Sequence, residues 1–264
     1  MSIYLGNDPQ EVAAAVASVL DQTKPPAQVV IVQDGPVRPA LAACVTGLES
    51  RYPSMITVVR LPENVGHGDA LQAGLNCCRF ELVARMDGDD LSVRDRFEHQ
   101  LCFLETNADV AAVGGWVVEF ESDPELAGKM RKTPCGRQHL KRYARHRNPM
   151  NHPTVMFRKS VILRCGGYAT LPDYEDYHLW MRLLSQGVIL DNLPEVLVKM
   201  RTGKSFYGRR GGLNYLRREW RILIQFHRMG AISFPQLVFN LCARSVRLLP
   251  RAARERIYNR MLRD

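Results

Sequence analysis

The stretch FELVARMDGDD, residues 80–90, joins an apolar run to three carboxylates within four positions. The run predicts a buried strand, and the acidic turn after it has two possible roles. Mg²⁺ and Mn²⁺ prefer hard oxygen ligands and take only a few of them from protein, while Gly88 leaves room for a nucleotide. Asp and Gly are also common in solvated turns. Because the turn directly follows a buried strand, we favour a metal site.

The chain around this stretch alternates strand-like and helix-like segments. Strands are predicted at residues 2–5, 28–33, 55–61, 80–86 and 109–120, the last bent at its glycine pair. Helices are predicted between them, one capped by Asp8 and one preceded by a capping box of Ser92 and Asp95. This order is typical of an α/β fold with a central, mostly parallel sheet flanked by helices.

Polar side chains follow three of the predicted strands, namely Asp34, Asn64 and the acidic turn 87–90. In open α/β sheets, ligands bind at the carboxyl ends of the strands. We therefore expect these side chains to meet on one rim, with Asp34 accepting hydrogen bonds from a base or ribose and Asn64 contacting a nucleotide. Taken alone, Asp34-Gly35-Pro36 is equally well explained as a simple turn.

A second acidic site lies in EDYHLWMRLL, residues 175–184. Its helix is predicted to open at Asp173 and to end at Gly187, anchored by a core stripe of Tyr177, Trp180 and Leu184. Carboxylates in a first turn suit the helix dipole, which is the simpler explanation of Glu175 and Asp176 from local sequence. The functional alternative makes one of them a general base that faces a cleft.

The remaining segments are less regular. Residues 121–150 look irregular and basic, residues 152–158 predict a short strand, and the chain from about Gly211 predicts two or three basic helices. His152 precedes its strand and fits a metal ligand, a phosphate donor or a polar turn residue, and the sequence leaves these alternatives open.

The formal charge of +9 is unevenly distributed. Residues 1–200 hold 21 Lys and Arg against 24 Asp and Glu, whereas residues 201–264 hold 15 against 3. In the segment 234–249, apolar residues alternate with arginines at helical spacing, which suits a helix on an anionic membrane surface. Packing on the protein's own body is an equal alternative. Nucleic-acid binding ranks last, because the segment lacks interleaved aromatic residues.

Composition narrows the class of protein further. No apolar run reaches the roughly 18–20 residues that a membrane-spanning helix requires, and the first residues lack a signal-peptide pattern. We therefore expect a cytoplasmic protein, with peripheral contact at the inner face of the cell membrane as an addition. The seven scattered cysteines contain no C-x-x-C pair, which favours free thiols.

Five blocks taken in order resemble the family-2 glycosyltransferases, particularly those of bacterial capsule and exopolysaccharide synthesis: VVIVQDGP, ENVGHGDALQAGL, LVARMDGDD, NHPTVMFRKSV and DYEDYHLWMRL. The resemblance implies a GT-A fold in residues 1–200, with a nucleotide-sugar-binding half at 1–120 and an acceptor-binding half at 121–200. Residues 201–264 would form a basic helical extension. It also implies inverting transfer of a sugar, assisted by Mg²⁺ or Mn²⁺.

The resemblance also assigns roles to individual residues. Asp89 would bind the metal that bridges the donor diphosphate, and Asp176 would be the catalytic base with Glu175 beside it. The donor would be held by a set of five residues: Asp34, Asn64, Arg85, Asp87 and Asp90. His152 would be an acceptor or phosphate contact.

The implied substrates are a nucleotide sugar, with UDP favoured, and a saccharide acceptor that is lipid-linked, while no nucleic acid is expected. A sugar-phosphate nucleotidyltransferase and a non-catalytic nucleotide-sugar or polyanion binder are the alternatives. The chain departs from the family pattern at Gln33, where an acid is usual, and at Leu71-Gln72, where an Arg contact is missing. It also departs at residues 4–7, the end of the first strand.

Overall fold

The computed structural model describes residues 1–126, 128–171, 173–202 and 213–245, with the backbone alone for Leu213 and Asn214. The chain divides into two compact units, Met1–Thr202 and Gly203–Asp264. The helices of the first unit are α1 (Pro9–Leu20), α2 (Pro39–Arg51), α3 (His67–Cys77), α4 (Arg96–Thr106), α5 (Arg137–Ala144), α6 (Lys159–Arg164) and α7 (Glu175–Ser185).

The first sheet is parallel and has the order β1 (Ser2–Ile3), β2 (Val29–Gln33) and β3 (Ile56–Arg60). β2 is buried along nearly its whole length, and Ile31 pairs with Val58 in its register with β3. A parallel pair requires a crossover, and α2 supplies it here. α1 begins where expected, since the Asp8 side chain accepts a hydrogen bond from Gln10 N at 2.8 Å. The predicted α/β fold with a parallel sheet is confirmed.

The second sheet is mixed and has the order β4 (Leu82–Ala84), β8 (Met156–Arg158), β6 (Val110–Phe120), β9 (Ile189–Arg201) and β5 (Leu91–Ser92). A further strand, β7 (Met130–Arg131), pairs with β6. β6 and β9 are parallel, and their register shifts around Gly114 and Trp116, near the predicted bend. β4 pairs antiparallel with β8, so the strand before the acidic turn belongs to this second sheet.

Several sequence expectations about local structure were wrong. β9 was not predicted, because Asp191, Asn192 and Pro194 interrupt its apolar pattern. α5 lies in a stretch that we expected to be irregular. Its only buried residues are Leu140 and Ala144, so the apolar pattern was too weak to predict a helix. Ser92 forms no capping box, because it belongs to β5 and α4 begins four residues later without a side-chain cap.

The second unit contains α8 (Leu213–Arg228) and α9 (Phe234–Ser245) in its described part. Arg244 Nε lies 3.3 Å from Glu219 Oε1, which joins the two helices. The predicted membrane helix continues beyond α9, and its residues 246–249, together with Arg251, fall outside the described residues. Among the helices that are described, none has the length and apolar character needed to cross a bilayer.

Candidate active site

The first corner of the site lies at the end of β2, where Asp34 is only 4% exposed. Its Oδ1 accepts a hydrogen bond from Val65 N at 2.8 Å, and its Oδ2 accepts one from Asn64 Nδ2 at 3.1 Å. Asp34 and Asn64, both predicted donor contacts, are therefore direct partners. Each carboxylate oxygen can accept more than one hydrogen bond, so Asp34 keeps acceptor capacity for a ligand.

Gly35 allows this corner to form. Its φ is +78°, and a Cβ added there would lie 2.6 Å from Asn64 N. We expect Gly35→Ala to lower the free energy of unfolding by about 2 kcal/mol or more, because an L residue is disfavoured at this φ and the loop must also shift. Chemical denaturation would measure the loss.

Gly47→Ala is the matched control for this prediction. Gly47 lies in α2 with open space around its Cα. The same substitution there should stabilise the protein slightly, by about 0.5–1 kcal/mol. Equal effects at the two positions would contradict the proposed close approach at Gly35.

The second corner is the turn that follows β4. Arg85 is buried, and its guanidinium forms an ion pair with Asp87 through Nη1 and contacts His67 Nε2 through Nη2 at 3.0 Å. Burial acts to raise the pKa of Asp87, but the charge and hydrogen bond of Arg85 outweigh it and hold this pKa below its usual range. Asp87 is therefore ionised, and Arg85 provides the positive charge at the base of the turn.

The other two carboxylates of the turn, Asp89 and Asp90, are in a less favourable electrostatic environment. Burial, followed by the charge of Asp87, raises the pKa of Asp89 to about 6, and the same causes raise the pKa of Asp90 well above its usual value. Asp90 Oδ1 accepts a hydrogen bond from Arg201 N at 2.8 Å, whereas its buried Oδ2 has no hydrogen-bond partner among the described residues. A divalent cation would reduce the repulsion between these crowded carboxylates and give a partner to the oxygen that lacks one.

Oxygen atoms of Asp87, Asp89 and Asp90 lie within 4.8 Å of one another. Three oxygen donors at this spacing fit a hard divalent cation that completes its shell with phosphate and water. Gly88 lies against β1, where an added Cβ would be 3.0 Å from Ile3 Cγ2. Its small size thus serves packing against β1, rather than only leaving space for a ligand.

The buried residues that support this turn through hydrogen bonds were not predicted from the sequence. Arg96 is fully buried and donates from Nη2 to Arg85 O at 2.8 Å and from Nε to Gln100 Oε1 at 2.9 Å. Gln100 Nε2 in turn donates to Val113 O and to Thr154 O, each at 2.8 Å. This network ties β4, β6 and the segment before β8 together. Polar residues at positions i and i+4 on the buried face of α4 were the available signal.

The third corner is the first turn of α7, which begins at Glu175 rather than at the predicted Asp173. Asp173 and Tyr174 both have left-handed backbone conformations, with φ of 63° and 64°. Asp176 Oδ2 accepts a hydrogen bond from Asn148 Nδ2 at 2.6 Å, and Oδ1 accepts one from Tyr177 N at 2.6 Å. Burial raises the pKa of Asp176, although Asn148 and Tyr177 partly oppose this. Asn148 is another residue that the sequence analysis missed.

Glu175 faces the second corner. Its Oε1 lies 3.7 Å from His67 Nε2, and its side chain is 12% exposed. Burial, followed by the charge of Asp176, raises the pKa of Glu175 to about 7. Burial and the charge of Arg85 lower the pKa of His67 to about 4, so His67 is neutral near pH 7 and the contact is not an ion pair.

This arrangement makes stability depend on pH. Because the folded protein retains the Glu175 proton up to about pH 7, while an unfolded chain loses it near pH 4.5, the free energy of unfolding falls between these values as pH rises. Glu175→Gln should therefore stabilise the protein at pH 8, by up to about 3 kcal/mol, and have little effect at pH 4. Thermal unfolding at both pH values would test this, with the exposed Glu98→Gln as a control that should show no such difference.

His152 lies beneath the site. It is buried, its Nε2 is 2.9 Å from Tyr168 Oη, and its ring packs near those of His67 and Trp180. Burial and the charge of Arg85 lower its pKa well below the usual value, so it is neutral. Single ligand atoms of His67, His152 and Glu175 also lie within 4.8 Å of one another. The guanidinium of Arg85 contacts this second group, which disfavours a cation there.

The predicted site residues therefore belong to separate segments of the chain, but they lie close enough for their charges to interact. His67 contacts Arg85 and Glu175, and the charges of Asp87 and Asp34 both act on the pKa of His67. The charge of Arg85 likewise partly opposes the burial that raises the pKa values of Glu175 and Asp176. An apolar cavity of about 280 Å³ beside β2 and β4 is lined by Arg85 and Tyr168 but by none of the site carboxylates.

A parallel sheet beside a mixed one, an acidic turn after β4 and a carboxylate-bearing helix start that faces this turn are the features expected of a GT-A fold. Residues 3–167 match the model of Glycosyl transferase family 2, and the chain belongs to that family. The nucleotidyltransferase alternative predicted a lysine-bearing, glycine-rich loop near the chain start, which the sequence lacks. The non-catalytic alternative has no support from the family match.

Two relatives of this chain are bacterial glycosyltransferases. A UDP-Gal:alpha-D-GlcNAc-diphosphoundecaprenol beta-1,3-galactosyltransferase of Escherichia coli is 39% identical over 264 residues, covering 100% of this chain and 95% of the relative. The amylovoran biosynthesis glycosyltransferase AmsE of Erwinia amylovora is 35% identical over 229 residues, covering 87% and 83%.

A solved structure supports the fold. The mannosyltransferase PcManGT of Pyrobaculum calidifontis, in complex with GDP-Man and Mn²⁺, superposes with a TM-score of 0.61. The alignment covers 99% of this chain and 78% of that one at 17% sequence identity. At this identity the match shows the GT-A fold alone.

Proposed function

We propose that this protein transfers a sugar, with inversion, from a UDP-sugar to a saccharide carried on a lipid diphosphate. The observation that carries the proposal is the meeting of the 87–90 turn with the Glu175–Asp176 helix start around Arg85 and His67. Similarity along its whole length to a galactosyltransferase that uses UDP-Gal and a diphosphoundecaprenol-linked acceptor supports the substrate classes. UDP-galactose is therefore the first donor to test.

The donor would lie along the carboxyl ends of the strands. In this proposal, Asp34 and Asn64 contact the uracil or ribose, while Asp87 and Asp90 shape the ribose and sugar sites. Arg85 holds Asp87 in place through its ion pair and offsets negative charge near the diphosphate. The nucleotide half would be residues 1–120 and the acceptor half residues 121–200, where Asn148 and Asp176 lie.

The acidic turn would hold Mg²⁺ or Mn²⁺ through Asp89, with Asp87 and Asp90 beside it. When bound, the ion would offset the charge that develops on the departing diphosphate. The raised pKa of Asp89 and the buried Oδ2 of Asp90, which has no hydrogen-bond partner among the described residues, support this assignment, because a cation would favour the ionised form of Asp89 and give the Asp90 oxygen a partner.

Asp176 would be the general base. Its carboxylate is held by Asn148 and Tyr177 N, and each oxygen retains a lone pair for an acceptor hydroxyl. Asp176 removes the hydroxyl proton as the acceptor oxygen attacks the anomeric carbon from the face opposite the nucleotide. The bond from that carbon to the diphosphate oxygen breaks, and the nucleotide leaves with the electron pair. Glu175, with its pKa of about 7, would tune Asp176 by its charge.

The experiment uses the full chain, UDP-galactose, Mn²⁺ and a short-chain lipid diphosphate that carries α-N-acetylglucosamine. We expect a disaccharide product whose new linkage is β, the opposite of the donor configuration, as read by nuclear magnetic resonance. Other UDP-sugars serve as controls for donor identity. The proposal would be overturned if no UDP-sugar donated its sugar to the acceptor and none raised the unfolding temperature of the protein.

A further inference from the structure

Helix α5 carries an exposed basic surface in the catalytic unit itself. Residues 126–172 contain eleven Lys and Arg and no Asp or Glu, and α5 lies within this stretch. We define the α5 basic surface as four exposed residues of the helix and of the loop after it: His139, Lys141, Arg142 and Arg147. The site chemistry described above uses none of these side chains.

The orientation of α5 follows from its two buried residues. Leu140 and Ala144 are one helical turn apart and face inward, where α5 packs beside β9. At 3.6 residues per turn, Arg142 then points to the opposite side, away from the core. Within the part of the chain that is described, Lys141, Arg142 and Arg147 have no ion pair with a carboxylate, unlike Arg137, which pairs with Asp109.

Two hydrogen bonds connect this surface to the catalytic helix. Tyr177 Oη donates to Ala144 O, the last residue of α5, at 2.6 Å. Arg147 is followed directly by Asn148, whose Nδ2 donates to Asp176 Oδ2 at 2.6 Å. A surface that contacts α5 would therefore lie beside the proposed base.

Helix stability alone does not account for this charge. Cations near a helix C-terminus favour the dipole, and Lys141 and Arg142 lie in the last turn of α5. One or two charges satisfy that requirement, and it has no bearing on Arg147 outside the helix or on the absence of acids from 126 to 172. Separate, solvated cations spread along a helix and loop instead suit a target with many phosphates on a plane.

We propose that the α5 basic surface binds the anionic phosphate plane of a phospholipid bilayer, so that Asp176 faces an acceptor sugar just above it. This inference rests on the proposed function, because only a lipid-linked acceptor makes such a position useful. It differs from membrane contact through residues 201–264, since it assigns an orienting contact to the catalytic unit.

The test compares two triple variants of the full chain. Lys141→Gln, Arg142→Gln and Arg147→Gln remove three charges from the α5 basic surface. Lys24→Gln, Arg51→Gln and Arg79→Gln remove three exposed charges elsewhere in the same unit. Binding is measured by co-sedimentation with vesicles of phosphatidylcholine alone and of phosphatidylcholine with about one third phosphatidylglycerol.

We expect the α5 variant to bind anionic vesicles about tenfold or more weakly than the unmodified chain, and the control variant to change much less. Equal losses in both variants, or full binding by the α5 variant, would overturn the proposal. An equal loss of affinity for a DNA duplex at the same salt would identify a general polyanion surface and would also overturn it.

Sugar transfer separates this inference from the proposed function. Both triple variants should transfer to a water-soluble acceptor analogue at the unmodified rate, while the α5 variant alone should be slower on vesicle-embedded acceptor. If the chain transfers no sugar at all, the proposed function fails, and the vesicle comparison still decides whether α5 contacts the bilayer.

Discussion

Asp176→Asn is expected to lower kcat by about 10²–10⁴, because the amide cannot take the acceptor proton. This loss corresponds to about 3–5 kcal/mol of transition-state stabilisation. Donor affinity should stay nearly unchanged, since in the proposed site Asp176 faces the acceptor. The measurement is steady-state transfer, with donor binding followed separately by calorimetry.

The variant should fold normally. Tyr177 N can donate to the Asn oxygen as it does to Asp176 Oδ1, and Asn148 can rotate its amide so that an oxygen faces the new NH₂ group. Asp173→Asn is the matched control, because it removes an exposed acid three residues earlier and should leave kcat within a few-fold. If Asp176→Asn retains most of the rate while Glu175→Gln loses it, Glu175 is the base.

The parts of the fold that follow from local sequence were predictable. β2 is a continuous buried run bounded by Asp and Gly, and the first turn of α1 has its own cap, so both could be read directly. β9 could not, because several of its polar groups have partners that are distant in sequence. Asn192 Nδ2 donates to Pro134 O and Pro149 O, at 2.8 and 2.9 Å, and neither contact is visible in a local pattern.

The site shows the same division. Asp34, Asn64 and the 87–90 turn were predictable as candidates because each follows a strand, although β4 lies in the second sheet rather than beside β2 and β3. The residues that position them were not: Arg201 N reaches Asp90 across 111 positions, and Arg96 reaches Val155 O across 59. His67 links Arg85 to Glu175 only because α3 and α7 pack together. Sequence patterns therefore indicated which carboxylates are candidate site residues, whereas tertiary contacts determine the pKa values of these carboxylates.

Asp89→Asn is expected to have two opposite effects. It should abolish most of the Mn²⁺-dependent affinity for UDP, by about a hundredfold or more, since even indirect partners of a metal site contribute about 10–100-fold. It should also raise the unfolding temperature of the metal-free protein. Burial, followed by the charge of Asp87, raises the pKa of Asp89 to about 6, so a neutral amide at that position removes a buried and repelled charge at pH 8.

Thermal unfolding at pH 8, alone and with Mn²⁺ and UDP together, measures both effects in one series. The unmodified chain should start lower and gain stability with the ligands, while Asp89→Asn should start higher and gain little. Asp95→Asn, an exposed acid at the N-terminus of α4, is the control and should respond like the unmodified chain. A full response to Mn²⁺ and UDP in Asp89→Asn would show that the cation binds elsewhere. Opposite signs are the informative result, because simple damage to the fold would lower the starting temperature as well.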